Sequence, residues 1–137
     1  GRLAERLRLL QPAHLAGFLK GFIDLVFAHE DRYYVLDYKS NHLGPRMRDY
    51  AQPQLATAMA EAMYDLQALL YGVALHLALQ QRLPGYDYDR HCGGALYLFL
   101  RGMQPELPGS GTFAWRPTRD VVERVAACLT TQARVFL

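Results

Sequence analysis

Apolar positions along this chain fall into two rhythms, one alternating and one helical, and the changes between them divide it into elements. Leu3, Leu7 and Leu10 share one side of a short amphipathic helix predicted over residues 2–10, which Gln11-Pro12 ends. Two runs rich in aromatic and branched residues follow, GFLKGFIDLVFA (residues 17–28) and YYVLDYKS (residues 33–40). The polar His29-Glu30-Asp31-Arg32 separates them, so the pair reads as a β-hairpin. Residues 41–49 form a loop with Gly44-Pro45 as its breaker. From Tyr50 to about Arg82 the pattern is helical, in two segments near residues 54–63 and 65–82. Asp65 would cap the second segment, where Leu66, Leu69, Leu70, Val73 and Leu77 recur at helical spacing. Leu83-Pro84-Gly85 ends it, and residues 86–93 read as loop. Residues 94–101 (GALYLFLR) are apolar enough for a central strand. A Pro/Gly-rich loop (residues 102–111) leads to a short edge strand (residues 112–116) and a closing helix (residues 118–133) capped by Thr118. This order predicts a small mixed sheet with helices packed on its faces.

A length of 137 residues suits one domain, and a hydrophobic share of 51% is enough to build its core. The formal net charge of +2 says little about partners, so any DNA-binding face must be a local cluster of Lys and Arg. Cys92 and Cys128 match no metal or redox spacing and are expected as reduced thiols of a cytosolic protein. An iron–sulfur cluster would need four ligands. No stretch reaches the length of a membrane span, and the N-terminus has no signal-peptide pattern, so no membrane partner is expected. The start at Gly1-Arg2-Leu3, without Met, leads us to expect a fragment of a longer protein.

Two carboxylates interrupt the hairpin strands. Asp24 stands between Ile23 and Leu25, and Asp37 between Leu36 and Tyr38, although acidic residues are depleted in strands. If the turn is the two residues Glu30-Asp31, Asp24 lies opposite Asp37, with Cβ atoms roughly 4.5–5.5 Å apart. Lys39 then shares the face of Asp37, and Phe22 sits across from Lys39. The other face would hold Ile23, Leu25, Phe27 and Leu36 as core. Glu-Asp is not a favoured hairpin pair, so the two-residue turn is an assumption.

Facing carboxylates repel unless a cation lies between them or one is protonated. Mg²⁺, or Mn²⁺ in its place, prefers such oxygen ligands and can orient a phosphate and acidify a bound water. Lys39 could orient that water or stabilise charge on the phosphate. Taken alone, Asp24, Asp37 and Lys39 also read as a solvent-facing pair of acids with a neutralising lysine. A metal-free acid/base hydrolase such as a glycosidase is a further reading of two carboxylates.

The runs GFIDLVF (residues 21–27) and LDYKSN (residues 36–41) resemble the D…D-x-K core of the PD-(D/E)xK nuclease superfamily. YDLQALLYGVALH (residues 64–76) is similar to the Q-x-x-x-Y motif of its RecB-type branch, and DYDRHCGGALYLFLRG (residues 87–102) to the stretch after that helix. The resemblance spans residues 17–103. It implies an α/β restriction-endonuclease-like fold, a mixed β-sheet flanked by helices. It implies that Asp24 and Asp37 bind metal, that Lys39 is catalytic, and that the Tyr38 carbonyl adds a ligand. Gln67 and Tyr71, on one helical face, would line the cleft and steady the lysine or the DNA strand. In that branch a histidine on an upstream helix completes the metal site. His14 lies too close to the hairpin to match, so the ligand is expected in sequence preceding Gly1. These residues alone would then bind metal weakly and cut DNA poorly.

The resemblance further implies Mg²⁺-dependent hydrolysis of DNA in break repair and DNA degradation. A helicase would feed single strands to the site, and the remainder of a RecB-like chain with RecC- and RecD-like subunits would be its partners. A homodimer through apolar surface is a further expectation. The alternative is a catalytically silent nuclease-like module that binds DNA or protein. His29, His42, His76 and His91 read as loop or packed residues rather than ligands, Lys20, Arg46, Arg48 and Arg101 could equally touch phosphates or be solvated charges, and Trp115 could stack on a base but reads first as packing.

Overall fold

The computed structural model describes residues 23–135; the helix expected over residues 2–10, the start of the first strand, and His14, Lys20 and Phe22 lie outside them. Strands β1 (Leu25–His29), β2 (Arg32–Lys39), β3 (Cys92–Phe99) and β4 (Thr112–Trp115) form one sheet in the order β1-β2-β3-β4. The outer pairs are antiparallel and β2 runs parallel to β3, so the sheet is mixed, as the element order predicts. Between the parallel strands the chain crosses over through α1 (Gln52–Glu61) and α2 (Tyr64–Arg82). A single turn, α3 (Tyr88–His91), precedes β3, and α4 (Arg119–Val135) closes the chain.

Hairpin β1–β2 turns on Glu30-Asp31, both with positive φ (49° and 64°), as a type I′ turn requires. Asp65 is not a cap. The junction residue before α2 is Met63, held at φ 58°, and there the axes of α1 and α2 break by 85°. Asp65 lies inside the first turn, where its Oδ1 accepts from the Leu66 N–H at 2.8 Å. The segment expected as loop before β3 contains α3, because Asp87 Oδ1 accepts from the Arg90 N–H at 3.0 Å and caps that turn. Thr118 does cap α4, its Oγ1 accepting from the Val121 N–H.

Helix α2 is buried almost all round from Leu66 to His76, as befits a helix between a sheet and other helices. One core cluster joins Val35, Leu69, Val73, Leu75 and Cys92 to Val122 and Ala126 of α4. A second joins Tyr50, Leu55, Met59 and Ala68 to Ala95, Tyr97 and Phe99 of β3. Both lie on one face of the sheet, that of Val35, Asp37, Ala95 and Tyr97. The expected division of the hairpin faces is therefore corrected. Of Ile23, Leu25, Phe27 and Leu36, only Leu36 is buried, whereas Leu25 is 45% exposed. The apolar core shares its face with the charged set, because α2 covers that face. Cys92 and Cys128 are free thiols. No single helix among the described residues is long and apolar enough to cross a membrane.

Candidate active site

Leu25 pairs with Leu36 at the start of β1, and Asp24, one residue before that ladder, has its carboxylate beside that of Asp37. The register expected from a two-residue turn is the observed one. Asp24 is exposed at the mouth of the site, where its Oδ2 accepts from the Tyr38 N–H at 2.8 Å. That bond ties the first acidic residue to the second strand beyond the end of the β1 ladder. Asp37 is only 4% exposed. Its Oδ2 lies 2.5 Å from Lys39 Nζ, both on the face covered by α2. The same oxygen is buried, and the lysine charge is its compensation. Burial raises the Asp37 pKa, Lys39 opposes the rise, and the neighbouring Asp24 carboxylate adds to it.

Lys39 is itself enclosed. Its ammonium donates to Gln67 Oε1 at 3.3 Å and lies 3.9 Å from the centre of the Tyr64 ring and 5.4 Å from that of Tyr97. Gln67 Oε1 also accepts from the Tyr97 hydroxyl at 3.0 Å. Tyr64, Gln67 and Tyr71 recur at i, i+3 and i+7 along α2 and so share its face toward the sheet. Tyr71 is buried there. Burial and then the charges of Asp37 and Asp24 push its hydroxyl pKa up to about 12. Tyr64, Tyr97 and Asn41, which shares a hydrogen bond of 3.4 Å with the Tyr64 hydroxyl, join the site without having been expected there from the sequence. Tyr64 was within reach of the helical spacing that singles out Gln67. Tyr97 is paired with Asp37 by the parallel register of β2 and β3, which a single sequence does not display.

The remaining candidates lie elsewhere. The Tyr38 side chain is 47% exposed, so only its main chain belongs to the site. His29 and His42 are exposed, as are Arg46 and Arg48. His76 is buried on α2 with its Nδ1 2.8 Å from the Tyr86 hydroxyl, and His91 Nδ1 accepts from the Asp87 N–H. Arg101 Nε donates to the Ser40 carbonyl, one residue past the site lysine. Trp115 is half-buried against both core clusters.

Among the described residues no group of three or more His, Cys, Asp or Glu side chains converges as a metal cage. A magnesium-type site does not need one, since one or two carboxylates, water and substrate phosphates commonly suffice. The buried Asp37 carboxylate, beside a second carboxylate, has the donor chemistry for such an ion.

A mixed sheet that delivers an acid, an acid and a lysine from one hairpin, with Gln and Tyr from the crossover helix, is the arrangement of a nuclease class. The chain belongs to the PD-(D/E)XK nuclease superfamily, whose profile matches residues 2–135. Its α/β fold is restriction-endonuclease-like. Within that class it is similar to the RecBCD enzyme subunit RecB. To that subunit from Escherichia coli K12 it is 50% identical over 113 residues, 82% of this chain and 10% of the relative. The Haemophilus influenzae subunit is 49% identical over 113 residues, 82% of this chain and 9% of the relative. The Mycolicibacterium smegmatis subunit is 39% identical over 143 aligned positions, 96% of this chain and 13% of the relative. The chain thus spans about a tenth of the length of these relatives.

Proposed function

We propose that this chain is the nuclease domain of a longer helicase–nuclease polypeptide and hydrolyses DNA phosphodiester bonds in break repair and DNA degradation. The observation that carries the reading is the Asp37–Lys39 pair: a buried carboxylate oxygen 2.5 Å from an enclosed ammonium, with the Asp24 carboxylate beside it. A solvent-facing acid–lysine pair would need no such enclosure. Asp24, Asp37 and the Tyr38 carbonyl would hold Mg²⁺, which when bound polarises a phosphate and acidifies a water.

The protein residues then divide the work. Asp24 and Asp37 present the negative oxygens at the sheet end. Lys39 orients the attacking water or stabilises charge developing on the phosphate. Gln67 fixes the lysine from α2, and Tyr71 lines the cleft beside both carboxylates. These groups address backbone phosphates, so sequence-specific cutting is not expected. Single strands fed by a helicase motor are the substrate we favour. The rest of the polypeptide and subunits like those of RecBCD are the proposed partners, in the cytoplasm.

The test is cleavage of labelled single- and double-stranded DNA with Mg²⁺ or Mn²⁺, by these residues alone and within the longer polypeptide. Asp37→Ala should lower the rate by about 10²-fold or more while DNA binding persists. Asp24→Ala should weaken Mn²⁺ binding in calorimetry. A longer polypeptide that binds DNA but cuts none, unchanged by Asp37→Ala, would make the domain a silent binding module.

A further inference from the structure

We propose that Tyr64 and Tyr97 are positioning residues that clamp the Lys39 ammonium against Asp37, one through its ring face and the other through its hydroxyl. The inference rests on the catalytic role given above to Lys39, and goes beyond it by naming what holds that lysine in place.

A lysine side chain has four rotatable bonds and a compact charge that water competes for, so a fixed ammonium needs partners on several sides. Here they come from β2 and α2, with β3 behind them. Asp37 lies two residues before Lys39 on β2. Gln67 reaches from α2. The Tyr64 ring, also on α2, lies 3.9 Å away, well inside the range of cation–π attraction. That ring cannot swing freely: its hydroxyl shares a hydrogen bond with Asn41, and it stacks on Tyr97 at 6.0 Å with 22° between the planes. Tyr97 is fully buried in central strand β3. Its hydroxyl donates to Gln67 Oε1, the oxygen that also accepts from Lys39. The carboxamide is thereby fixed with its oxygen, not its nitrogen, toward the ammonium, because two donors claim that oxygen. Asp37, Lys39, Gln67, Tyr97, Tyr64 and Asn41 form one connected set with the ammonium near its centre.

The two tyrosines therefore act through different atoms, and conservative variants separate them. In the longer polypeptide, Tyr64→Leu removes the ring face and should lower kcat for DNA cleavage about 10- to 100-fold with little change in KM. Tyr64→Phe keeps the ring and should restore most of that loss. Tyr64→Met, ring-free and unbranched, repeats the first test should Tyr64→Leu fold poorly. Tyr97→Phe keeps the ring and loses the hydroxyl, and should lower kcat in the same way. A readout independent of cutting comes from the protein with ¹³C-labelled lysine. The Lys39 ε-methylene protons should resonate upfield in the unsubstituted protein and in Tyr64→Phe, and move back toward the ordinary lysine position in Tyr64→Leu, where only the more distant Tyr97 ring remains. An active protein whose ring-free Tyr64 variants keep kcat within about twofold, or whose Tyr64→Phe variant is as impaired as Tyr64→Leu, overturns the clamp alone. An absent upfield shift does the same. Failure of the unsubstituted protein to cut DNA with Mg²⁺ or Mn²⁺ instead removes the parent reading, and the clamp's catalytic role with it.

Discussion

Removing either member of the Asp37–Lys39 pair should destabilise the fold, but unequally, and the inequality reports what surrounds each charge. The two side chains are 6% and 13% exposed, so solvent screens little of their interaction. Lys39→Met leaves a buried carboxylate with no donor on Oδ2 and a second acid beside it. An uncompensated buried charge of this kind costs about 3–5 kcal/mol. Asp37→Asn leaves an ammonium that keeps Gln67 Oε1 and the Tyr64 ring, so the loss is nearer that of one charged hydrogen bond, about 1.5–3 kcal/mol. The double variant should lie close to Asp37→Asn, because neither group then needs the other.

The pH dependence fixes the sign. Burial and Asp24 already raise the Asp37 pKa above its ordinary value of 3.8, and only Lys39 pulls it down. Without the lysine it climbs further. The folded state then keeps a proton that the unfolded chain has released. The deficit of Lys39→Met is therefore small below pH 3.8, grows as pH rises toward the raised folded value, and is complete above it. Urea unfolding at pH 4.5 and pH 8, followed by the single tryptophan, Trp115, reads this directly. Equal losses for the two single variants, or a Lys39→Met deficit that does not grow with pH, would refute the reasoning.

Two further outcomes test the core around the site. Burial lowers the pKa of His76, which packs between Tyr86 and Tyr88, so its ring should stay neutral below the usual 6.5 in an NMR titration. Being depressed, it contributes stability above pH 6.5 that is lost as pH falls through the lowered value, and His76→Gln should reduce that acid sensitivity in urea melts. Gly102→Ala would place a methyl group 2.3 Å from the Tyr50 Cβ and should cost about 1–3 kcal/mol in thermal or urea unfolding.

What the sequence made legible follows from the range over which each signal acts. Hairpin register and strand alternation are local, so Asp24, Asp37 and Lys39 could be set on one hairpin face from their order, whereas Gln67 and Tyr71 joined them only through the family resemblance. Which face α2 would cover is not local. Leu25 was assigned to the core because it is apolar, yet β1 is an edge strand and Leu25 remains 45% exposed. Tyr97 entered the site through a parallel pairing that is set only when the crossover closes. The turn was placed correctly but only as an assumption, since Glu30 and Asp31 both occupy left-handed backbone that neither residue favours. That conformation costs roughly 1–2 kcal/mol per residue. It is retained because a one-residue slip would carry Asp37 and Lys39 to the opposite face and break the Val26–Val35 pairing under α2. The strain should therefore be removable without moving the site. Replacing Glu30-Asp31 with Asn-Gly, the pair a type I′ turn prefers, relieves both residues. Part of the gain is offset by the extra freedom of glycine in the unfolded chain, about 0.5–1 kcal/mol. A net stabilisation of about 1 kcal/mol in urea unfolding is expected, with Tyr38 and Lys39 amide resonances unshifted. A destabilised variant, or one whose Lys39 resonances move, would mean that the turn follows the site rather than setting its register.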